Sequence, residues 1–116
     1  MTPGELSESE QVVLLSLVGL FARADGRVSA SEMTTLEALR AEIDPARFEK
    51  IRDAAAQLDG AEAILSAAEG TSRPEARSTI YDVLIDMALP DTIGESEGML
   101  FNRLAALWGL ESPLAR

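Results

Sequence analysis

Two acidic residues flank a short turn near the N-terminus in a pattern that suits a hard divalent cation. The segment is Asp25-Gly26-x-Val28-x-x-x-Glu32, and it also contains the Ser29 hydroxyl. Carboxylate, hydroxyl and backbone carbonyl oxygens are the ligands that Ca²⁺ and Mg²⁺ prefer. The spacing differs from that of an EF-hand loop, so water or a second turn would have to complete the coordination shell. The pattern predicts Asp25 and Glu32 as cation ligands.

The same residues also have a purely structural interpretation. In a capping box, a Ser or Asp side chain accepts an N–H of the first helical turn, and a Glu three residues later accepts the N–H of the cap. Ser29 and Glu32 match this pattern, and Asp25-Gly26 is common where a helix ends. Three further pairs match it as well: Ser7–Glu10, Asp59–Glu62 and Ser72–Glu75. Both interpretations of Glu32 therefore stay open.

A second acidic segment lies near the C-terminus. No basic residue occurs between Arg77 and Arg103, whereas five acidic residues do: Asp82, Asp86, Asp91, Glu95 and Glu97. Asp82 and Asp86 are one helical turn apart and repel each other unless a cation lies opposite. We expect Asp91 and Glu97 to be further cation ligands or part of a second docking surface. We expect Asp82, Asp86 and Glu95 to form a docking surface for a basic partner, with a solvated acidic surface as the alternative.

The two acidic segments belong to one internal repeat. A shift of 65 positions superposes Glu32 on Glu97, and the matched apolar pairs include Leu15–Ile80, Val18–Val83, Val28–Ile93, Leu36–Phe101 and Leu39–Leu104. The turns differ, because Pro90 and Asp91 stand where the first copy has Asp25 and Gly26. Such a repeat predicts two related helix–turn–helix units.

Capping residues and Gly or Pro stops predict six helices, at about 8–24, 30–42, 45–58, 61–69, 74–88 and 95–109. The first and fifth are apolar nearly all round, which places them in the middle of a bundle. No segment alternates as a strand does. We predict one all-α domain over residues 1–116, a bundle of six to seven helices with an internal pseudo-twofold repeat. Helices three and four are expected to connect the two hairpins.

Composition narrows the classes of partner. Among 116 residues, 20 are acidic, 10 are basic and none is His or Cys, which gives a formal charge of −10. Such a surface repels nucleic acid and favours cations or a basic protein face. The absence of His and Cys removes the usual ligands of structural zinc and the thiolate nucleophile. With no signal peptide and no segment of about 20 apolar residues, we expect a cytoplasmic protein without membrane insertion.

The chain resembles the TerB family from about Glu10 to Leu110. The resemblance rests on an apolar helix ending in Ala-x-Ala-Asp-Gly-x-Val-Ser-x-x-Glu, repeated before a last helix that ends in Leu107-Trp108-Gly109-Leu110. It implies an internally duplicated helical fold and a link to bacterial tellurite resistance or to membrane-anchored DnaJ-like co-chaperones. It also implies Asp25, Gly26, Glu32 and Glu97 as motif residues of a divalent-cation site. Pro90-Asp91 departs from the Asp-Gly that the family often repeats.

Three hypotheses of function follow. The leading one is a non-enzymatic TerB-like module, bound to a divalent cation, that acts as an adaptor in a stress-response complex at the inner membrane. The second is a pure protein-interaction domain whose acidic surface meets basic residues of a partner. The third is a small metal-dependent hydrolase that uses paired carboxylates, which requires a concave pocket around Asp82, Asp86 and Asp91.

Overall fold

The computed structural model describes residues 2–24, 30–88 and 95–110. They form a 3₁₀ turn at Pro3–Glu5 and six α-helices: α1 Glu8–Ala24, α2 Ala30–Glu42, α3 Pro45–Ala56, α4 Gly60–Glu69, α5 Pro74–Ala88 and α6 Glu95–Trp108. The described part of the chain contains no strand, and the prediction of an all-α bundle is confirmed. The predicted bounds differ from these helices by two residues at most. The 3₁₀ turn was not predicted.

Local capping explains where several helices begin and end. Ser7 and Glu10 form the predicted capping box: the Ser7 N–H donates to Glu10 Oε1 at 2.8 Å, and the Glu10 N–H donates to Ser7 Oγ at 3.3 Å. The Asp44 side chain accepts the Arg47 N–H at 3.3 Å, so α3 begins as the Asp-Pro pair indicates. Helix α6 ends at Gly109, whose φ of +67° is a conformation that glycine adopts without strain.

Helix α1 lies at the centre of the bundle and contacts α3, α4, α5 and α6. Leu14, Leu17, Val18 and Phe21 of this helix are almost completely buried. This confirms the prediction, made from its nearly continuous apolar sequence, that α1 lies in the middle of the bundle. The most extensive packing of α1 is on α3, so α3 and α4 cover the central helix in addition to connecting the two copies of the repeat.

The two copies of the repeat, α1–α2 and α5–α6, pack against each other through their helices. Helix α2 packs on α5, and α6 packs on α1, so the second helix of each copy contacts the first helix of the other. A pseudo-twofold operation that takes α1 to α5 and α2 to α6 converts one of these contacts into the other. The packing is therefore consistent with the internal symmetry predicted from the sequence.

Aromatic side chains hold α6 against the rest of the core. The ring of Phe101 meets that of Phe21 edge-on with centroids 4.6 Å apart, and that of Tyr81 at 5.8 Å. The Trp108 indole N–H donates to the Ala68 carbonyl at 2.9 Å, and the side chain is buried, as expected for a core residue. Edge-to-face ring pairs add to the free energy of burial. Together they fix α6 on α1, α4 and α5.

Candidate functional site

The predicted cation ligands are only partly within the structure. Asp25 and Asp91 lie outside the described residues, and so do the side chains of Glu32 and Glu97. The backbone places Glu32 as the third residue of α2 and Glu97 as the third residue of α6, equivalent positions in the two copies. Among the side chains that the structure does describe, no group of three or more acidic residues is close enough to hold a metal ion.

Asp82 and Asp86 lie together on the solvent side of α5, as their spacing predicts. Both are exposed and line a shallow depression of about 370 Å³ beside Pro3 of the 3₁₀ turn. Glu75 of the same helix also lines the depression. We call Glu75, Asp82 and Asp86 the acidic face of α5. Sequence analysis treated Glu75 only as part of a capping box and missed this position, although a separation of seven residues from Asp82 also indicates one helix face.

Two of the three members of the acidic face, Asp82 and Asp86, form no ion pair with a described basic residue. Four ion pairs are present among the described residues: Lys50–Glu8, Arg52–Glu49, Arg73–Glu10 and Arg103–Glu62. None of them involves Asp82 or Asp86, and none involves Glu95, which begins α6 in an exposed position and does not line the depression. The mutual repulsion of Asp82 and Asp86 is therefore not offset by a described basic side chain.

The solvent exposure of Asp82 and Asp86 is relevant to the hypothesis of a metal-dependent hydrolase. A pair of carboxylates works as acid and base when burial or a close neighbour separates their pKa values. Asp82 and Asp86 are open to solvent, and Asp91 lies outside the described residues. The depression supplies part of the concave surface that this hypothesis requires, and the hypothesis stays a prediction.

A partly buried ion pair, which the sequence did not predict, connects the starts of α1 and α5. Arg73 Nε donates to Glu10 Oε2 at 2.8 Å, and Arg73 Nη2 donates to Glu10 Oε1 at 2.5 Å. The Glu10 side chain is 8% exposed. The hydrogen bonds from Arg73 lower the pKa of Glu10 from 4.5 to about 2; burial opposes this shift and the bonds from Ser7 add to it. The pair is a structural contact in the first turn of α1.

A larger depression lies elsewhere in the described residues, between α1, α2, α3 and α4. It is a half-open groove of about 960 Å³, with apolar walls that include Leu15, Leu36, Phe48 and Ile64. Arg23, Arg40 and Arg52 also line it. Sequence analysis did not predict this groove, because no single segment contains it.

Comparisons with known proteins do not add a family assignment. The chain matches no protein-family model, no curated protein and no solved structure. The resemblance to the TerB family therefore rests on the residues of the repeat alone. None of the described helices is long and apolar enough to span a bilayer.

Proposed function

We propose that the chain is a non-enzymatic, TerB-like adaptor module that docks a basic segment of a partner protein on the acidic face of α5. The observation that carries this proposal is the pair Asp82 and Asp86, one turn apart, exposed, and without a basic partner among the described residues. A basic segment placed between them would relieve their repulsion and form charge-assisted hydrogen bonds. Glu95 is proposed to belong to the same docking surface.

The biological setting of this proposal comes from the resemblance. A TerB-like module in the cytoplasm would join a stress-response complex at the inner membrane through its partner, without inserting into the bilayer itself. The net charge of −10 supports a basic partner, because long-range attraction raises the rate of encounter while close contacts set the orientation. The same charge disfavours nucleic acid.

Replacing the two aspartates tests the docking face. We expect Asp82→Asn/Asp86→Asn to weaken binding of a Lys/Arg-rich helical peptide about tenfold, because both substitutions remove charge from the contact itself. Fluorescence anisotropy at several salt concentrations measures the dissociation constant. The binding of the wild-type protein should weaken steeply with salt, and that of the variant less steeply.

A control with the same change in net charge separates a docking face from general attraction. Asp53→Asn/Glu69→Gln removes two exposed carboxylates from α3 and α4. We expect it to change the dissociation constant about twofold at most, since distant exposed charges are screened. Equal effects of the two double variants would mean that the peptide recognises only net charge, and the docking proposal would fail.

A divalent cation at the two acidic turns is a second proposal. It is supported by the helix bounds: Glu32 and Glu97 occupy the same position in the first turns of α2 and α6. Asp25, Glu32, Asp91 and Glu97 would supply carboxylate oxygens to Ca²⁺ or Mg²⁺. The cation would then fix the turns that join the two helices of each copy.

Thermal melting of chelator-treated protein tests the cation. Titration with Ca²⁺, Mg²⁺, Mn²⁺ and Zn²⁺ at constant ionic strength should give a saturable rise in Tm that is largest for Ca²⁺. A ligand that binds only the folded state at 100 times its Kd adds about 2.7 kcal/mol to the free energy of unfolding. Asp25→Ala/Glu32→Ala should lose this rise, whereas Asp53→Asn/Glu69→Gln should keep it. A small rise, equal for all four ions, would instead assign Glu32 to a capping box.

A further inference from the structure

The groove between α1 and α4 differs from the rest of the surface in charge. The chain carries twice as many acidic as basic residues, yet this depression is lined by one carboxylate, Asp59, and by three arginines: Arg23, Arg40 and Arg52. Arg52 pairs with Glu49. Arg23 and Arg40 have no carboxylate partner among the described residues, and the Arg40 guanidinium lies 5.5 Å from the centre of the Phe48 ring. Two guanidinium groups at an apolar groove are therefore available to an anion.

Residues of the first copy that line the groove are smaller than their equivalents in the second copy. Gly19 and Ala22 line it, and Leu36 at its wall is only partly buried. Their equivalents 65 positions later are Leu84, Met87 and Phe101, with exposed fractions of 0%, 2% and 0%. At all three positions the second copy therefore has a larger side chain, and that side chain is buried.

Gly19 is not required by the packing of α1. It lies inside a helix, where glycine is less favourable than alanine, and its φ is not positive. A Cβ placed there would meet only Arg23 Nη1, at 3.5 Å, an ordinary contact with the end of a flexible side chain. Neither backbone conformation nor a close neighbour among the described residues explains the glycine. A larger side chain at position 19 would occupy part of the groove.

We propose that this groove binds the carboxylate form of a single-chain fatty acid, with the acyl chain on the apolar walls and the carboxylate between Arg23 and Arg40. The volume lies within the range of ~300–1,000 Å³ that small-molecule sites occupy. One carboxylate matches two guanidinium groups, whereas an acidic protein segment would bring many charges toward a chain of charge −10. This site shares no residue with the acidic face of α5, so it stands independently of the proposed function.

Displacement of a fluorescent fatty acid tests the proposal. The probe is 11-(dansylamino)undecanoic acid, displaced by laurate below its micellar concentration or by 1-dodecanol, its uncharged analogue. We expect one probe per chain, and displacement by laurate at a concentration at least about tenfold lower than by dodecanol, because only laurate pairs with the arginines. Arg23→Ala/Arg40→Ala should weaken laurate binding about tenfold. Lys50→Ala/Arg103→Ala, which removes two basic residues outside the groove, should leave it within about twofold.

Filling the groove is the second test. Gly19→Leu introduces the residue that the second copy has at Leu84, and the variant should melt no lower than the wild-type protein while it loses the probe. Binding that survives Gly19→Leu, or equal effects of the two basic double variants, would overturn the proposal. A third result would also overturn the proposal: laurate does not bind, and an acidic amphipathic peptide shifts the methyl resonances of Leu36 and Ile64. That result would assign the groove to a helix of a partner protein.

Discussion

Phe101→Ala should lower the free energy of unfolding by about 3–5 kcal/mol, the range measured for large aromatic residues removed from a core. Phe101 is completely buried, and its ring contacts the rings of Phe21 and Tyr81. Truncation loses the burial of the ring, both edge-to-face contacts and the packing of α6 on α1. The hydrogen bond from Tyr81 Oη to the Phe101 carbonyl, at 3.4 Å, involves the backbone and remains available.

Urea unfolding followed by circular dichroism measures this loss, and Met99→Ala is the matched control. Met99 lies two residues earlier on the same helix and is 60% exposed. Its truncation should change the free energy of unfolding by about 0.5 kcal/mol or less. A similar loss for both variants would mean that helix propensity, and not the aromatic cluster, fixes α6. The m-value should stay constant if the unfolded ensemble is unchanged.

The helix bounds were predictable because their causes are local. A cap such as Ser7 or Asp44 bonds N–H groups within one turn, so its effect is visible in four or five consecutive residues. The central position of α1 was also predictable, because its apolar residues surround the whole helix. The exchange of partners between the two copies was not. The contacts of α2 with α5 and of α6 with α1 depend on the angles between successive helices, and the sequence does not specify those angles.

In the candidate site, too, features that depend on neighbouring residues were predictable, and contacts between distant residues were not. Asp82 and Asp86 fall on one face because they are one turn apart, and the structure places both in one depression. The contact between Glu10 and Arg73 joins residues that are 63 positions apart, and nothing in the sequence around Arg73 indicates that it pairs with Glu10. One sign of the groove is present in the sequence, because the repeat aligns Gly19 with the much larger Leu84. The small residue at position 19 indicates a groove only once the packing shows that this side of α1 faces open space between α2, α3 and α4.

Glu10→Gln should lower the free energy of unfolding at pH 7 by about 1–2 kcal/mol. The lowering of the Glu10 pKa from 4.5 to about 2 would correspond to more, but the Arg73 side chain is 45% exposed and solvent screens the pair. Gln retains the capping-box contact with Ser7, so the loss measures the charge of the pair with Arg73. Glu8→Gln is the control. Glu8 lies in the same first turn, and its pair with Lys50 is solvent-exposed, so we expect at most about 0.5 kcal/mol.

The pH dependence of this loss identifies its cause. Because the pKa of Glu10 is lowered in the folded protein, its contribution is complete above about pH 4.5 and disappears as the pH falls toward 2. Subtracting the stability of Glu10→Gln from that of the wild-type protein at each pH cancels the titration of the other carboxylates. The difference should be constant from neutral pH down to about 5 and then fall toward zero. A difference that stays constant down to pH 2 would show that Gln disturbs packing, and that the charge of Glu10 contributes little to holding α5 against α1.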